Sequence, residues 1–307
     1  MKKIFGNFLA IAILFSLFTI TASAEKTVDV ESEDVEEPSY VDVYTATCPE
    51  HGNVEYVAYN TQDYEYSYGI TKHLAIYTPY GYDETSQYDV VIIIPGLYDR
   101  ETCLFGFKPF NYSDNFMNEV FDNVIYYKLA RPMIVVCANW AACDDVGEQA
   151  YGHDLNQMAN EINKDILPFL VENYALYAKD SSEEELIKNR NHVAIAGFSY
   201  GSMLVNDSLV ENCISYCSNF CSISCGRMNM SDTAEAIDNS GYGCNLYFCA
   251  YGSNDVNVKS DPVSYNELLS LSETLVDKEN AVAVAIQNEY HSIGLMDKAL
   301  VMFMQLI

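Results

Sequence analysis

Residues 197–201 read Gly197-Phe198-Ser199-Tyr200-Gly201, a serine with a glycine two residues away on either side. This spacing suits a chain that leaves a buried strand and turns at once into a helix, holding the central residue in a strained conformation with no room for flanking side chains. Ser199 would then present its hydroxyl at the strand end, over the amino end of a helix whose dipole favours developing negative charge. The chemistry such a hydroxyl performs is nucleophilic attack on a carbonyl carbon. It needs a base to take its proton, and the base needs a carboxylate to orient it.

On a turn of this kind the partners follow in the order serine, acid, histidine. His51, His73, His153 and His192 all precede Ser199, which leaves His291 as the candidate base. Asp255 is the candidate acid, because it stands in Gly252-Ser253-Asn254-Asp255 directly after the apolar run 246–251; Asp261 and Asp277 are rivals further along. Two N–H donors must stabilise the oxyanion. Tyr200, next to the nucleophile, supplies one, and Leu97 in Pro95-Gly96-Leu97-Tyr98 is the candidate for the other, since Pro95 has no N–H. Tyr98, Trp140 and Tyr200 each fall just past an expected strand end and are candidate substrate contacts. Trp140, the single tryptophan, could stack on a sugar or an aromatic acyl group, or equally pack in the core. Nothing in this chemistry calls for a metal or an organic cofactor.

The elements that must position these residues are visible as alternating strand and helix patterns. The run 90–94 is continuous Val and Ile, as a strand buried on both faces requires. Runs 133–138, 192–196, 246–251 and 281–286 are of the same type, and 54–59 and 70–79 read as opening strands. Between them 155–174 carries apolar residues at helical spacing, with Pro168 expected to kink it, and 202–210, 265–276 and 293–306 read as helices. Alternation on this scale predicts an α/β fold, a mainly parallel central sheet with helices on both faces, and sites at the carboxyl ends of the strands.

Of the 307 residues, 50% are hydrophobic and 20% charged, which excludes disorder for the body. The net charge of −28 opposes phosphate backbones and anionic lipid, so neither nucleic acid nor a membrane surface is an expected partner. Lys2 and Lys3, the apolar run 4–20 and Ala22-Ser23-Ala24 together read as an export signal over residues 1–24, cleaved after Ala24. Residues 25–47 begin acidic and poor in large apolar side chains and are expected to form a flexible tether; the folded domain is expected over 48–307. The mature chain is therefore expected to be secreted and free of the membrane. Ten cysteines permit disulfides in that setting. Several lie in apolar runs, where cysteine behaves as a small buried hydrophobe, and the series Cys213, Cys217, Cys221, Cys225 lacks the turns and histidines of a zinc site.

An ordered set of segments resembles the feruloyl and acetyl xylan esterases, family-one carbohydrate esterases related to esterase D. It comprises Cys48-Pro49 with Gly52-Asn53-Val54-Glu55, Ala75-Ile76-Tyr77-Thr78-Pro79 with Gly81-Tyr82, Arg131-Pro132-Met133-Ile134-Val135-Val136, Ile166-Leu167-Pro168-Phe169 with Asn173-Tyr174, and Ala194-Ile195-Ala196-Gly197-Phe198-Ser199. The resemblance implies an α/β-hydrolase fold, a triad at the positions of Ser199, Asp255 and His291, and hydrolysis of a carbohydrate-linked ester through an acyl-serine. The chain departs from the family at Pro95-Gly96, where His-Gly is usual, at Tyr200-Gly201-Ser202, where Met-Gly-Gly is usual, and at Ser292-Ile293, where an aromatic often follows the histidine. An acyltransferase or peptidase on the same fold, or a binding protein without turnover, are the alternatives.

Overall fold

Strand β3 (Asp89–Ile94) shows how the sheet is built. Its six residues are all buried, and alternation sends Val90, Ile92 and Ile94 into one core and Val91 and Ile93 into another on the opposite face. The structure is a computed structural model that describes residues 42–97, 99–105, 117–141 and 156–307. The expected signal over residues 1–24, most of the expected tether, Tyr98, Cys143 and His153 lie outside the described residues.

Eight strands form one sheet in the order β1-β2-β4-β3-β5-β6-β7-β8. The first two, β1 (Asn53–Asp63) and β2 (Tyr68–Thr78), make an antiparallel hairpin in register from Asn53 opposite Thr78 to Asp63 opposite Tyr68. β2 also runs antiparallel to β4 (Met133–Ala138). From there all neighbours are parallel: β4 with β3, then β5 (Val193–Phe198), β6 (Asn219–Ile223), β7 (Leu246–Gly252) and β8 (Ala281–Ile286). Six parallel strands put their carboxyl ends along one edge, and the loops leaving that edge carry the candidate site.

The helices in chain order are α1 (Met117–Tyr126), α2 (Asn156–Glu161 running on to Leu167–Asn173), α3 (Glu183–Lys188), α4 (Tyr200–Leu204 running on to Val210–Cys213), α5 (Ser231–Asn239), α6 (Asp261–Leu271) and α7 (Ile293–Met304). One face of the sheet is covered by α1 and α7 through Phe121, Leu295, Leu300 and Phe303. The other is covered by α2, α4, α5 and α6 through Ile162, Leu170, Val205, Ile237 and Leu268. Burying each such side chain contributes roughly 1.5–3 kcal/mol, so both layers are needed. Within α2 the helix widens into a π-helical turn at Ile162–Ile166, just ahead of Pro168. The proline has no N–H to donate, so the helical hydrogen-bond ladder is interrupted at its position. The short helices α1, α3 and α5 had no sequence expectation; α5 is mostly polar and is held by burying Thr233, Ala234 and Ile237.

Residues 42–47, the end of the stretch expected as a tether, are anchored on the body. Val43 is buried there, and the Asn123 side-chain amide donates to the carbonyls of Val43 and Ala46 at 2.9 and 2.8 Å. Among the described residues no two cysteines form a disulfide, and of these nine all but Cys225 are buried. No helix among the described residues is long and apolar enough to cross a membrane.

One buried charge pair ties together four elements near the β1 edge of the sheet. Lys72 of β2 places Nζ 2.7 Å from Glu161 of α2 and 2.6 Å from the carbonyl of Asn139 at the end of β4, and Tyr59 of β1 donates its hydroxyl to Glu161. Both charged side chains are essentially without exposure. Removing one partner leaves the other charge buried alone, whereas replacing both removes the problem. Lys72→Met is therefore expected to lower unfolding free energy by about 3–5 kcal/mol, with Lys72→Met/Glu161→Met recovering most of it. Urea titrations of the three proteins check this; a loss below about 1 kcal/mol in Lys72→Met would contradict it.

Candidate active site

β5 ends at Phe198, and Ser199 turns the chain with φ 53° and ψ −113° before α4 begins at Tyr200. Its backbone is tied to the next strand, the Ser199 N–H donating to the Ile223 carbonyl at 2.9 Å. The two glycines are dictated by contact distances. A Cβ on Gly201 would lie 2.1 Å from the carbonyl oxygen of Ile94, and one on Gly197 would lie 2.3 Å from that of Gly201. The turn thus sits directly on the end of β3.

The acid and the histidine come from adjacent loops that are bonded to each other. After β7, Ser253 and Asn254 donate their N–H groups to the carbonyls of Ile286, which ends β8, and of Glu289 on the loop that follows, both at 2.9 Å. In return the Asn288 N–H donates to the Ser253 hydroxyl at 2.8 Å. Asp255 closes its own turn with its N–H on the Gly252 carbonyl and is buried, 3% exposed. His291 stands on the same loop as Asn288, immediately before the Ser292 cap of α7.

The structure brings Ser199, His291 and Asp255 together. His291 Nε2 is 2.8 Å from Ser199 Oγ, and His291 Nδ1 is 3.3 and 3.2 Å from the two Asp255 carboxylate oxygens. A fourth side chain enters the same line. Ser224, directly after β6 with φ 51°, donates its hydroxyl to Asp255 Oδ2 at 2.7 Å and has its Oγ 2.8 Å from His291 Nδ1. Asn257 closes the set: its N–H meets Asp255 Oδ1 at 2.8 Å, and its side-chain amide faces the Ser224 carbonyl and hydroxyl at 3.1 and 3.3 Å. Residues 219–225 alternate like a strand in sequence, yet β6 stops at Ile223, where Ser224 takes up the left-handed region. The available signal was a polar residue at a parallel strand's carboxyl end.

The rival acids lie elsewhere. Asp277 accepts from the Tyr265 hydroxyl at 2.8 Å, and Asp261, 2% exposed at the start of α6, accepts the Gly226 N–H at 2.8 Å. Burial, with repulsion from Asp255 adding to it, pushes the Asp261 carboxyl up to about 7. Asp99, on the loop after β3, is also held high by burial, and the nearby His291 pulls it the other way.

Leu97 lies on the loop that leaves β3, and Gly96 of that loop is packed against Phe198, with the Phe198 ring 3.4 Å from where a Cβ would be. Tyr200 opens α4, so its N–H is among those no intrahelical carbonyl can reach. The two expected oxyanion donors therefore sit on abutting segments. Trp140 is half-buried beyond β4; its indole N–H donates to the Gly96 carbonyl at 3.2 Å and its ring lies 4.5 Å from that of Tyr200. Tyr98 lies outside the described residues.

Sheet order, helix layers and a strained serine at the end of the central parallel strand define an α/β-hydrolase fold. No family model matches the chain. Over 226 residues, 70% of its length, it is 26% identical to endo-1,4-beta-xylanase Y of Acetivibrio thermocellus, and the chain spans 19% of that relative. A solved structure named FAE superposes with a TM-score of 0.73 at 21% identity, covering 92% of this chain and 96% of the other. A mutant of the feruloyl esterase module from Clostridium thermocellum, complexed with sinapinate, superposes at 0.69 with 22% identity over the same shares. The chain thus has the fold of these esterases, as the segment resemblance implies.

Asp261 makes stability depend on pH in a defined direction. Its folded value of about 7 lies above the unfolded carboxyl value, so between pH ~4 and 7 the unfolded state sheds a proton that the folded state keeps. Stability is lost as pH rises through that window. Asp261→Asn stays neutral, so its stability relative to the native protein should rise by a few kcal/mol from pH ~4 to pH ~8, each tenfold change in proton affinity being worth about 1.4 kcal/mol. Urea midpoints at the two pH values read this; an unchanged difference would contradict it.

Proposed function

We propose that the protein is a secreted serine esterase that hydrolyses carboxylic esters, feruloyl or acetyl groups on plant cell-wall polysaccharide, through an acyl-enzyme on Ser199. The observation that carries this reading is the 2.8 Å contact of His291 Nε2 with a Ser199 hydroxyl held on a strained turn, with Asp255 behind the imidazole. His291 takes the Ser199 proton as Oγ attacks the ester carbonyl, and the developing imidazolium is stabilised by the Asp255 carboxylate. The tetrahedral oxyanion is received by the N–H groups of Leu97 and Tyr200. His291 then protonates the departing alcohol, and the same histidine activates a water that releases the acyl group.

The choice of substrate is supported by the likeness to a xylanase Y and to a feruloyl esterase module that binds sinapinate. Trp140 and Tyr200, ring against ring beside the Leu97 loop, supply an aromatic wall next to Ser199 suited to a planar phenolic acid; Tyr98 belongs to the same proposed contact set. Export rests on the signal-like residues 1–24.

A fluorophosphonate probe tests the reading without choosing a substrate. Peptide mass spectrometry should find the label on Ser199 and on no other serine, and His291→Ala should slow labelling by about 10²–10⁴, the range for loss of a general base. A folded, unlabelled protein would overturn the esterase reading and leave a binding protein on this fold.

A further inference from the structure

The contacts around His291 Nδ1 contain one more group than a serine, a histidine and an acid require. The Ser224 hydroxyl oxygen lies closer to Nδ1, at 2.8 Å, than either Asp255 oxygen, at 3.2 and 3.3 Å. A hydroxyl has one proton to donate and two lone pairs to accept with, and all three are accounted for here. Its proton goes to Asp255 Oδ2 at 2.7 Å, because a carboxylate only accepts. One lone pair receives the Asn257 amide at 3.3 Å. The amide's N–H side is the one presented, since the same nitrogen faces the Ser224 carbonyl at 3.1 Å. The other lone pair faces Nδ1, which must therefore carry a hydrogen. That tautomer leaves Nε2 with its lone pair toward Ser199 Oγ, 2.8 Å away.

We propose that Ser224 is a positioning residue of the reaction: its hydroxyl relays the Asp255 carboxylate to the imidazole and, with Asn257 behind it, locks His291 in the tautomer that can accept the Ser199 proton. The inference rests on the reading of Ser199 and His291 as nucleophile and base. It accounts for two features that reading leaves aside. Ser224 is fully buried, with no exposed surface, yet it holds a φ of 51°, a strained conformation for a residue with a side chain. Its N–H is fixed to the Ala250 carbonyl at 2.8 Å, so β7, the strand that leads to Asp255, also sets where the hydroxyl points. Without the relay, the imidazole would keep only two long contacts to Asp255, and either nitrogen could carry the proton.

The test is a double-mutant cycle in the full-length protein with Ser224→Ala, Asp255→Ala and the pair. It is read as kcat and KM on 4-nitrophenyl acetate and as the rate of fluorophosphonate labelling of Ser199. General-base catalysis as a whole is worth about 10²–10⁴, so loss of the relay is expected to lower kcat by about 10–100-fold with KM within about twofold. Because the two groups act in series, the pair should fall within about threefold of the slower single variant. Ser224→Gly, which adopts positive φ without strain, should be as slow as Ser224→Ala while folding at least as stably, which separates catalysis from folding.

Wild-type kcat in Ser224→Ala, or single losses that multiply in the pair, would overturn the relay. Equal Ser199 labelling in native and Ser224→Ala protein overturns the relay alone. No labelling of Ser199 in the native protein overturns the esterase reading and the relay with it.

Discussion

Ser199 can stand above the sheet only because two stretches of backbone touch where side chains would otherwise be. Gly201 lets the first turn of α4 rest on the Ile94 carbonyl, and Gly197 lets strand β5 pass beneath it. That contact holds Ser199 at φ 53°, where its hydroxyl meets His291 Nε2. It also fixes the end of β3 against the elbow, so the Leu97 loop and the amino end of α4 are neighbours by construction. The strain is sustained by everything packed around it, including the buried Val and Ile of β3 and β5.

The parallel sheet supplies the rest of the arrangement. Strands β5, β6, β7 and β8 are consecutive neighbours, and each leads to one residue at or past its carboxyl end: Ser199, Ser224, Asp255 and His291. Backbone bonds between the β7 and β8 loops hold acid and imidazole to one spacing, and the bond from Ser199 to Ile223 holds the elbow to β6. Ser199 and Ser224 both have positive φ, as has Asn288 on the loop that delivers His291. Among the described residues these are three of the six non-glycine positions at positive φ; the other three, Ser67, Lys128 and Lys278, lie in turns away from the site. The buried carboxyl of Asp261, at the start of α6, stands outside this line, and its cost is electrostatic rather than conformational.

What the residues disclosed in advance follows from how local each signal is. Parallel strands carry unbroken apolar runs, so 133–138 and 281–286 were legible to the residue, although β8 is the edge strand and only partly buried. Ser199 was legible because its turn demands glycines at both flanks, and His291 because no other histidine follows it. Asp255 was separable from Asp261 and Asp277 by its distance from a strand end. Short helices such as α5 were not legible, since their stability comes from the few side chains they bury against the body. Ser224 was hidden for a different reason. A serine at positive φ has no sequence mark of the kind glycine provides, and its partners are 31 and 67 residues away.

The account stands on a covalent intermediate at Ser199. The most direct measurement is acid-quenched peptide mass spectrometry of the protein while it turns over a feruloyl sugar ester. The account predicts a feruloyl adduct on the peptide containing Ser199, appearing before steady state and absent in Ser199→Ala. Release of ferulate with Ser199 unmodified at every time point would contradict it.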